Sequence, residues 1–165
     1  MQKAGLGRTL FYRHFDDLAD LLARASREAI DELYAAQQAL GAARTGDEPH
    51  VVRQAIEPPV DVYRRHGPLL RAMAEAAASD EQVASNYDAM RRRFDELVAD
   101  ALRGMAPVLG IPPADLNETA RALNLMNEAY LLDAFGREPR VSSETAVQTL
   151  TEIWAALIYR GEDTD

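Results

Sequence analysis

The sequence predicts an all-α protein, and three observations support this fold class. The 165 residues include 29 Ala, against 21 residues of Val, Ile and Thr combined, and Ala favours helices whereas β-branched side chains favour strands. Apolar residues recur at three- and four-residue spacings over long stretches. No uncharged apolar run approaches the ~20 residues that span a bilayer, so a transmembrane protein is excluded.

The first long helix is predicted from about Asp17 to Leu40, where Leu and Ala mark one face at helical spacing. Asp16 or Asp17 can accept hydrogen bonds from the free amides of the first turn. Gly41 is expected to end the helix before the breaker segment 44–49.

The next helical pattern, from His50 to His66, contains the adjacent prolines Pro58 and Pro59. Proline lacks the amide hydrogen that a helix interior uses and disfavours helical geometry in the preceding residue. We therefore expect a break or a sharp kink at this point. Gly67 and Pro68 mark the start of the following helix.

The rest of the chain is predicted to form four more helices, with N-caps at Ser79 or Asp80 and at Ser142 or Ser143. Residues 106–113 are expected to be a loop. The helices are predicted over 69–78, 80–105, 114–135 and 143–159, which brings the total to six or seven.

The charge of the chain is unevenly distributed. Residues 1–15 carry Lys3, Arg8 and Arg13 without an acidic residue, whereas the whole chain has a net charge of −9. Phosphate binding depends on Lys and Arg, so the net charge argues against a nucleic-acid partner. The basic N-terminal segment is either a nucleic-acid contact or a chance cluster in a short window.

No arrangement of residues typical of an enzyme is present. The chain contains no cysteine and no Gly-rich phosphate loop, and His14, His50 and His66 are separated by helix breakers instead of being paired on one helix. We predict no catalytic residues, no metal site and no cofactor. Without cysteine and an apolar signal segment, the expected location is the cytoplasm.

Two amides, Asn124 and Asn127, lie three residues apart on an apolar stripe of the helix at 114–135. A buried amide must satisfy its donors and acceptors, so the pair either bonds within the protein or holds a ligand. If it holds a ligand, replacing Asn127 by Leu should weaken binding and hardly change the melting temperature. The large apolar side chains Tyr63, Met90, Phe94 and Trp154 are typical of a core, whether or not they also line a cavity.

Residues 4–15, AGLGRTLFYRHF, followed by a Leu-rich helix, resemble the turn and recognition helix of the TetR family of transcriptional regulators. Gly5 permits a tight turn, and polar side chains within two helical turns can contact phosphates and base edges. The resemblance implies that DNA is contacted by Arg8, Thr9, Tyr12, Arg13 and His14.

The C-terminal half, with Ala122–Glu128, Ile153–Trp154 and Leu157–Tyr159, resembles the ethionamide-repressor group of this family. This implies a long apolar effector cavity in which Asn124 and Asn127 bond the ligand and Trp154 packs on it. Apolar wall is expected from Tyr63, Met90 and Phe94. The last two long helices would pair with those of a second subunit.

The sequence departs from the family pattern at several positions. Gly7, Leu10 and Leu18 stand where Ser, Thr and Lys are usual, so a helix cap and two phosphate donors are missing, and weaker DNA binding is expected. From the family pattern, we expect the sequence to begin inside the second helix of the DNA-binding unit, without the first helix. Pro58 and Pro59 should alter the cavity shape.

The predicted organisation is a truncated helix-turn-helix unit with its connecting helix at residues 1–41, then an effector-binding and dimerisation domain at 42–165. The predicted function is a homodimeric regulator, most simply a repressor, that a small apolar effector releases from a palindromic DNA operator. The alternative is a dimeric small-molecule binding module that does not bind DNA.

Overall fold

A computed structural model of the chain describes residues 15–42, 48–109 and 116–158, and this part of the chain contains only helices and their connections. The all-α prediction is confirmed. None of these helices is both long and apolar enough to cross a membrane. The five helices are α1 (Leu18–Ala42), α2 (Glu48–Ala77), α3 (Glu81–Leu109), α4 (Leu116–Phe135) and α5 (Ser143–Ile158).

The predicted N-caps are present at three helix starts, where a side-chain oxygen accepts a hydrogen bond from a backbone amide of the first turn. Each cap is local to its helix, which is why the sequence locates these starts within one or two residues. The bonds run from the amide of Asp20 to Asp17 (2.8 Å), from those of Gln82 and Val83 to Asp80 (both 3.0 Å), and from that of Thr145 to Ser142 (3.0 Å).

Of the break or sharp kink predicted at Pro58 and Pro59, the break is wrong, because α2 continues through both residues and through Pro68; the kink stays a prediction. A proline inside a helix costs about 3 kcal/mol. Helix α2 packs against every other helix in the described part of the chain, and Ile56 and Val60 on either side of the prolines are 3% and 0% exposed. Burial along the whole length of α2 offsets the missing amide bonds.

The helix start predicted at Gly67 and Pro68 is wrong for the same reason, and Gly67 has a different role. A Cβ atom at Gly67 would lie against the carbonyl oxygen of Phe135 and 2.6 Å from its carbonyl carbon. The glycine therefore allows the backbones of α2 and α4 to touch where they cross. The loop predicted over 106–113 is also wrong in its first part, since α3 extends to Leu109.

The main core lies between α2, α3, α4 and α5, and its members at 2% exposure or less include Val60, Leu102, Leu131 and Trp154. Two smaller apolar clusters attach α1 to α2 and α3. Helix α1 ends at the domain boundary predicted near residue 41, and this division stays a prediction.

An ion-pair network also joins α1 to α2. The guanidinium of Arg65 bonds the carboxylate of Glu32 on α1, with Nη1 3.1 Å from Oε1, and that of Asp61 on its own helix at 2.9 Å. The bond from Arg65 lowers the pKa of Glu32. The contribution of this pair to stability is thus fully present above the ordinary pKa of a glutamate and is lost as the pH falls through the lowered pKa of Glu32.

Candidate ligand-binding site

A cavity of about 270 Å³ lies between α1, α2, α3 and α4. Five of the six residues predicted to contact a ligand are found in its wall. They are Tyr63 on α2, Met90 and Phe94 on α3, and Asn124 and Asn127 on α4. The DNA-contacting residues predicted in the sequence, Arg8, Thr9, Tyr12, Arg13 and His14, fall outside the described residues.

Trp154, the sixth predicted residue, lies behind the cavity wall. Its side chain is 2% exposed, and its indole Nε1 donates a hydrogen bond to Oδ1 of Asn127 at 3.1 Å. An indole can only donate, so this bond fixes which end of the Asn127 amide faces the tryptophan. The donor group Nδ2 is left for other partners.

The Asn124 amide is fixed in the opposite sense. Its Nδ2 donates to Oδ1 of Asp95 at 2.8 Å, which leaves its carbonyl oxygen Oδ1 for other partners. Among the described residues, neither Asn124 Oδ1 nor Asn127 Nδ2 has a hydrogen-bond partner. Each amide is thus bonded within the protein at one end, and its other end, an acceptor in Asn124 and a donor in Asn127, is left for a further partner.

A charged group in the wall was missed by the sequence reasoning. The Glu128 side chain, only 17% exposed, lies 2.9 Å from Nε of Arg91 and accepts a hydrogen bond from the hydroxyl of Tyr87. A signal was present: Glu128 follows Asn124 by four residues, and Arg91 follows Tyr87 by four, so each pair shares a helix face. This signal is weak, because charged residues at this spacing are also typical of a solvent-exposed helix face unless the partner helix is known.

The two tyrosines near Glu128 stay protonated. Burial and the hydrogen bond to Glu128 raise the pKa of Tyr87, and burial, reinforced by the charge of Glu128, raises the pKa of Tyr63. The Tyr63 hydroxyl has no hydrogen-bond partner among the described residues. It is a further neutral polar group in a mainly apolar wall, and such a wall is typical of small-molecule sites.

The cavity wall continues into α1 through Leu33 and Gln37. Phe94 also connects the wall to α1, because its ring stacks on that of Tyr34 with 4.5 Å between centroids. The guanidinium of Arg93 lies 4.2 Å from the centroid of the same Tyr34 ring. A change in the cavity can therefore reach α1 by direct contact.

Comparison with known proteins places this arrangement in a family. Residues 52–160 match the family described as "Transcriptional regulator EthR, C-terminal domain". The chain belongs to this family. The match covers α2 from its second turn onward together with α3, α4 and α5, and so includes the cavity residues from Pro59 to Leu131.

Curated EthR proteins extend the similarity toward the N-terminus. The chain is 29% identical over 161 residues to the HTH-type transcriptional regulator EthR of Mycobacterium tuberculosis, strains CDC 1551 and H37Rv, and to that of Mycobacterium bovis. The alignments cover 94% of this chain and 74% of each relative. The resemblance to TetR-type regulators is confirmed, and the EthR family consists of regulators, not enzymes.

Proposed function

We propose that this member of the EthR family is a ligand-responsive transcriptional regulator that binds DNA through residues 8–14 and a small effector in the cavity. One observation carries the proposal: α1 both follows the DNA-contacting segment in the chain and contributes Leu33 and Gln37 to the cavity wall. Effector binding that displaces α1 would change the position of the DNA-binding segment and release the operator. In the dimer, the DNA-contacting segments of the two subunits would bind the two halves of a palindromic operator.

The proposed effector is neutral, elongated and largely apolar, with a group that both donates and accepts hydrogen bonds. Asn124 Oδ1 offers an acceptor and Asn127 Nδ2 a donor, three residues apart on one helix face. A secondary amide in the ligand matches this pair, whereas an ester would meet only the donor. The charged side chains of the wall balance, with three Arg against two Asp and one Glu, and Arg91 is paired with Glu128, so the wall does not favour a charged ligand.

The DNA-binding role is tested by replacing the basic residues of the predicted recognition helix. Arg13→Ala and Arg8→Ala should each weaken binding to a duplex selected from a random pool, by about 1–3 kcal/mol if a base contact is lost. Electrophoretic mobility shift at fixed salt measures the effect. Arg103→Ala is the matched control, since it removes the same charge from an exposed position on α3.

Unchanged affinity in both Arg8→Ala and Arg13→Ala would contradict the proposal. Together with retained small-molecule binding, that result would favour the alternative function, a dimeric binding module without DNA binding.

The proposed assembly is a homodimer built on α4 and α5. Ile153 on α5 is 43% exposed and Leu125 on α4 is 36% exposed, and a second copy could cover such side chains in an isologous interface. Light scattering at micromolar concentration should give twice the 18.2 kDa of one chain. Ile153→Glu should shift the mass toward that of the monomer. A monomeric wild-type protein would rule out the dimer and the palindromic operator.

A further inference from the structure

The side chain of Asp95 on α3 lies at the border between two spaces. It lines the ligand-binding cavity, as Asn124 does, and it also lines a polar groove between α3 and the first half of α4. Arg92 and Arg121 line both spaces as well. Asp95 is half-buried. Neither the sequence pattern nor the family comparison assigns it a role.

Asp95 fixes the orientation of the Asn124 amide. The two ends of an asparagine amide have nearly the same shape, so the residue alone can present either its carbonyl oxygen or its NH₂ group to a neighbour. A carboxylate at neutral pH only accepts hydrogen bonds. Oδ1 of Asp95 lies 2.8 Å from Nδ2 of Asn124. The NH₂ group must therefore face Asp95, and the carbonyl oxygen must face away from it.

Asn127 is fixed by a partner of the opposite kind, because the indole of Trp154 only donates and bonds to Oδ1 of Asn127. The two partners give the amide pair a defined order along α4, with a free acceptor at Asn124 and a free donor at Asn127. If the residue at position 95 were a donor, both amides would offer donors. The pair would then suit a ligand with two acceptor oxygens, such as an ester.

We propose that Asp95 is a specificity-determining residue, through which the site selects ligands with an N–H group beside a carbonyl over ligands that offer only acceptors. It acts by holding Asn124 Oδ1 as the acceptor for that N–H. An ester would leave this oxygen without a donor, at the cost of an unsatisfied polar group. The selected class is the primary and secondary amides. This inference rests on the proposed function and adds the residue that decides between amides and esters.

The test compares two neutral compounds of nearly the same shape, N-octylacetamide and octyl acetate. Binding is followed by the fluorescence of Trp154, the one tryptophan of the chain, which is bonded to Asn127. The two compounds differ in hydration, so the quantity compared between proteins is the ratio of their dissociation constants. This ratio expresses the preference for the amide.

Asp95→Asn should reduce the preference for the amide about tenfold. The NH₂ group introduced at position 95 can donate to Asn124 Oδ1, which allows Asn124 to turn its own NH₂ group to the ligand. Because both compounds are neutral, the loss of one charge affects them equally and leaves the ratio unchanged. Asp95→Leu removes the acceptor without supplying a donor, so the preference should fall in this variant too, but by less.

Asp88→Asn is the matched control. Asp88 lies on α3 two turns before Asp95, is exposed and lines the same cavity. Within the described part of the chain, no hydrogen bond or ion pair involves its side chain. The substitution removes the same charge from the same wall without releasing an amide. The preference for the amide should therefore stay within about twofold of the wild-type value.

Three results would overturn the inference and leave the proposed function intact. The first is an unchanged preference in both Asp95→Asn and Asp95→Leu. The second is an equal fall in Asp88→Asn, which would trace the effect to charge. The third is the loss of both compounds in an Asp95→Asn protein that circular dichroism shows to be folded, since Asp95 would then support the site as a whole. Failure of both compounds to bind the wild type would overturn the effector proposal itself.

Discussion

Gly67→Ala is expected to destabilise the protein by about 3 kcal/mol, at the upper end of the cost of overpacking a core. The added methyl group would meet the backbone carbonyl of Phe135, its carbon 2.6 Å away. A flexible side chain could turn aside, but here the obstacle is the main chain of α4. The two helices would have to separate, which opens the core on both sides of their crossing. Urea denaturation monitored by circular dichroism measures the change.

Gly104→Ala is the matched control, because Gly104 also lies inside a helix and a Cβ atom there would have no heavy atom within 4 Å. Alanine in an open helical position stabilises by about 0.5–1 kcal/mol relative to glycine. The two substitutions should thus change stability in opposite directions. Similar effects in both variants would contradict the close helix crossing.

Asn127→Leu is expected to impair both ligand binding and stability. The substitution removes the donor offered to the cavity, so binding of N-octylacetamide should weaken by about 1–3 kcal/mol. It also leaves the buried Nε1 of Trp154 without its acceptor, at a similar cost in folding free energy. The sequence predicted a nearly unchanged melting temperature, and the hydrogen bond from Trp154 revises that expectation. Isothermal titration calorimetry and thermal unfolding measure the two effects.

Trp154→Phe separates the two roles of Asn127. It removes the same hydrogen bond from the other side but leaves the Asn127 amide in the cavity wall. Stability should fall, while amide affinity should fall less than in Asn127→Leu. A lower melting temperature with unchanged affinity in Asn127→Leu would mean that the amide pair serves only the internal network.

The helix starts could be predicted because their causes are local. Asp17, Asp80 and Ser142 cap the residues that follow them directly. The prolines of α2 and Gly67 could not be interpreted locally, since the same residue types break a helix in water and are tolerated where packing compensates. The compensation comes from Ile56 and Val60 in the core and from a crossing with Phe135, far away in sequence.

The candidate site also has residues that could be predicted locally and residues that could not. Asn124 and Asn127 could be predicted as candidate site residues because amides are unusual on an apolar stripe. Both residues lie in the cavity wall. Glu128 and Arg91 could not be predicted as site residues, because charged residues are common on helix surfaces. Only the ion pair between α3 and α4 distinguishes these two. Trp154 was expected in the core from its residue type, which is confirmed, and in the cavity wall only from the family resemblance. Its position behind Asn127 depends on how α5 docks, which its own sequence does not contain.

The contact of α2 with α4 at Gly67 has a consequence for motion in the protein. Where side chains separate two helices, the helices can shift by exchanging rotamers. At Gly67 and Phe135 main chain lies directly on main chain, so any sliding or tilting there breaks the contact. Helices α2 and α4 are therefore expected to move together at this crossing. Helices α1 and α3 contact each other through side chains such as Tyr34 and Phe94, so we expect a displacement within the bundle to fall on them first.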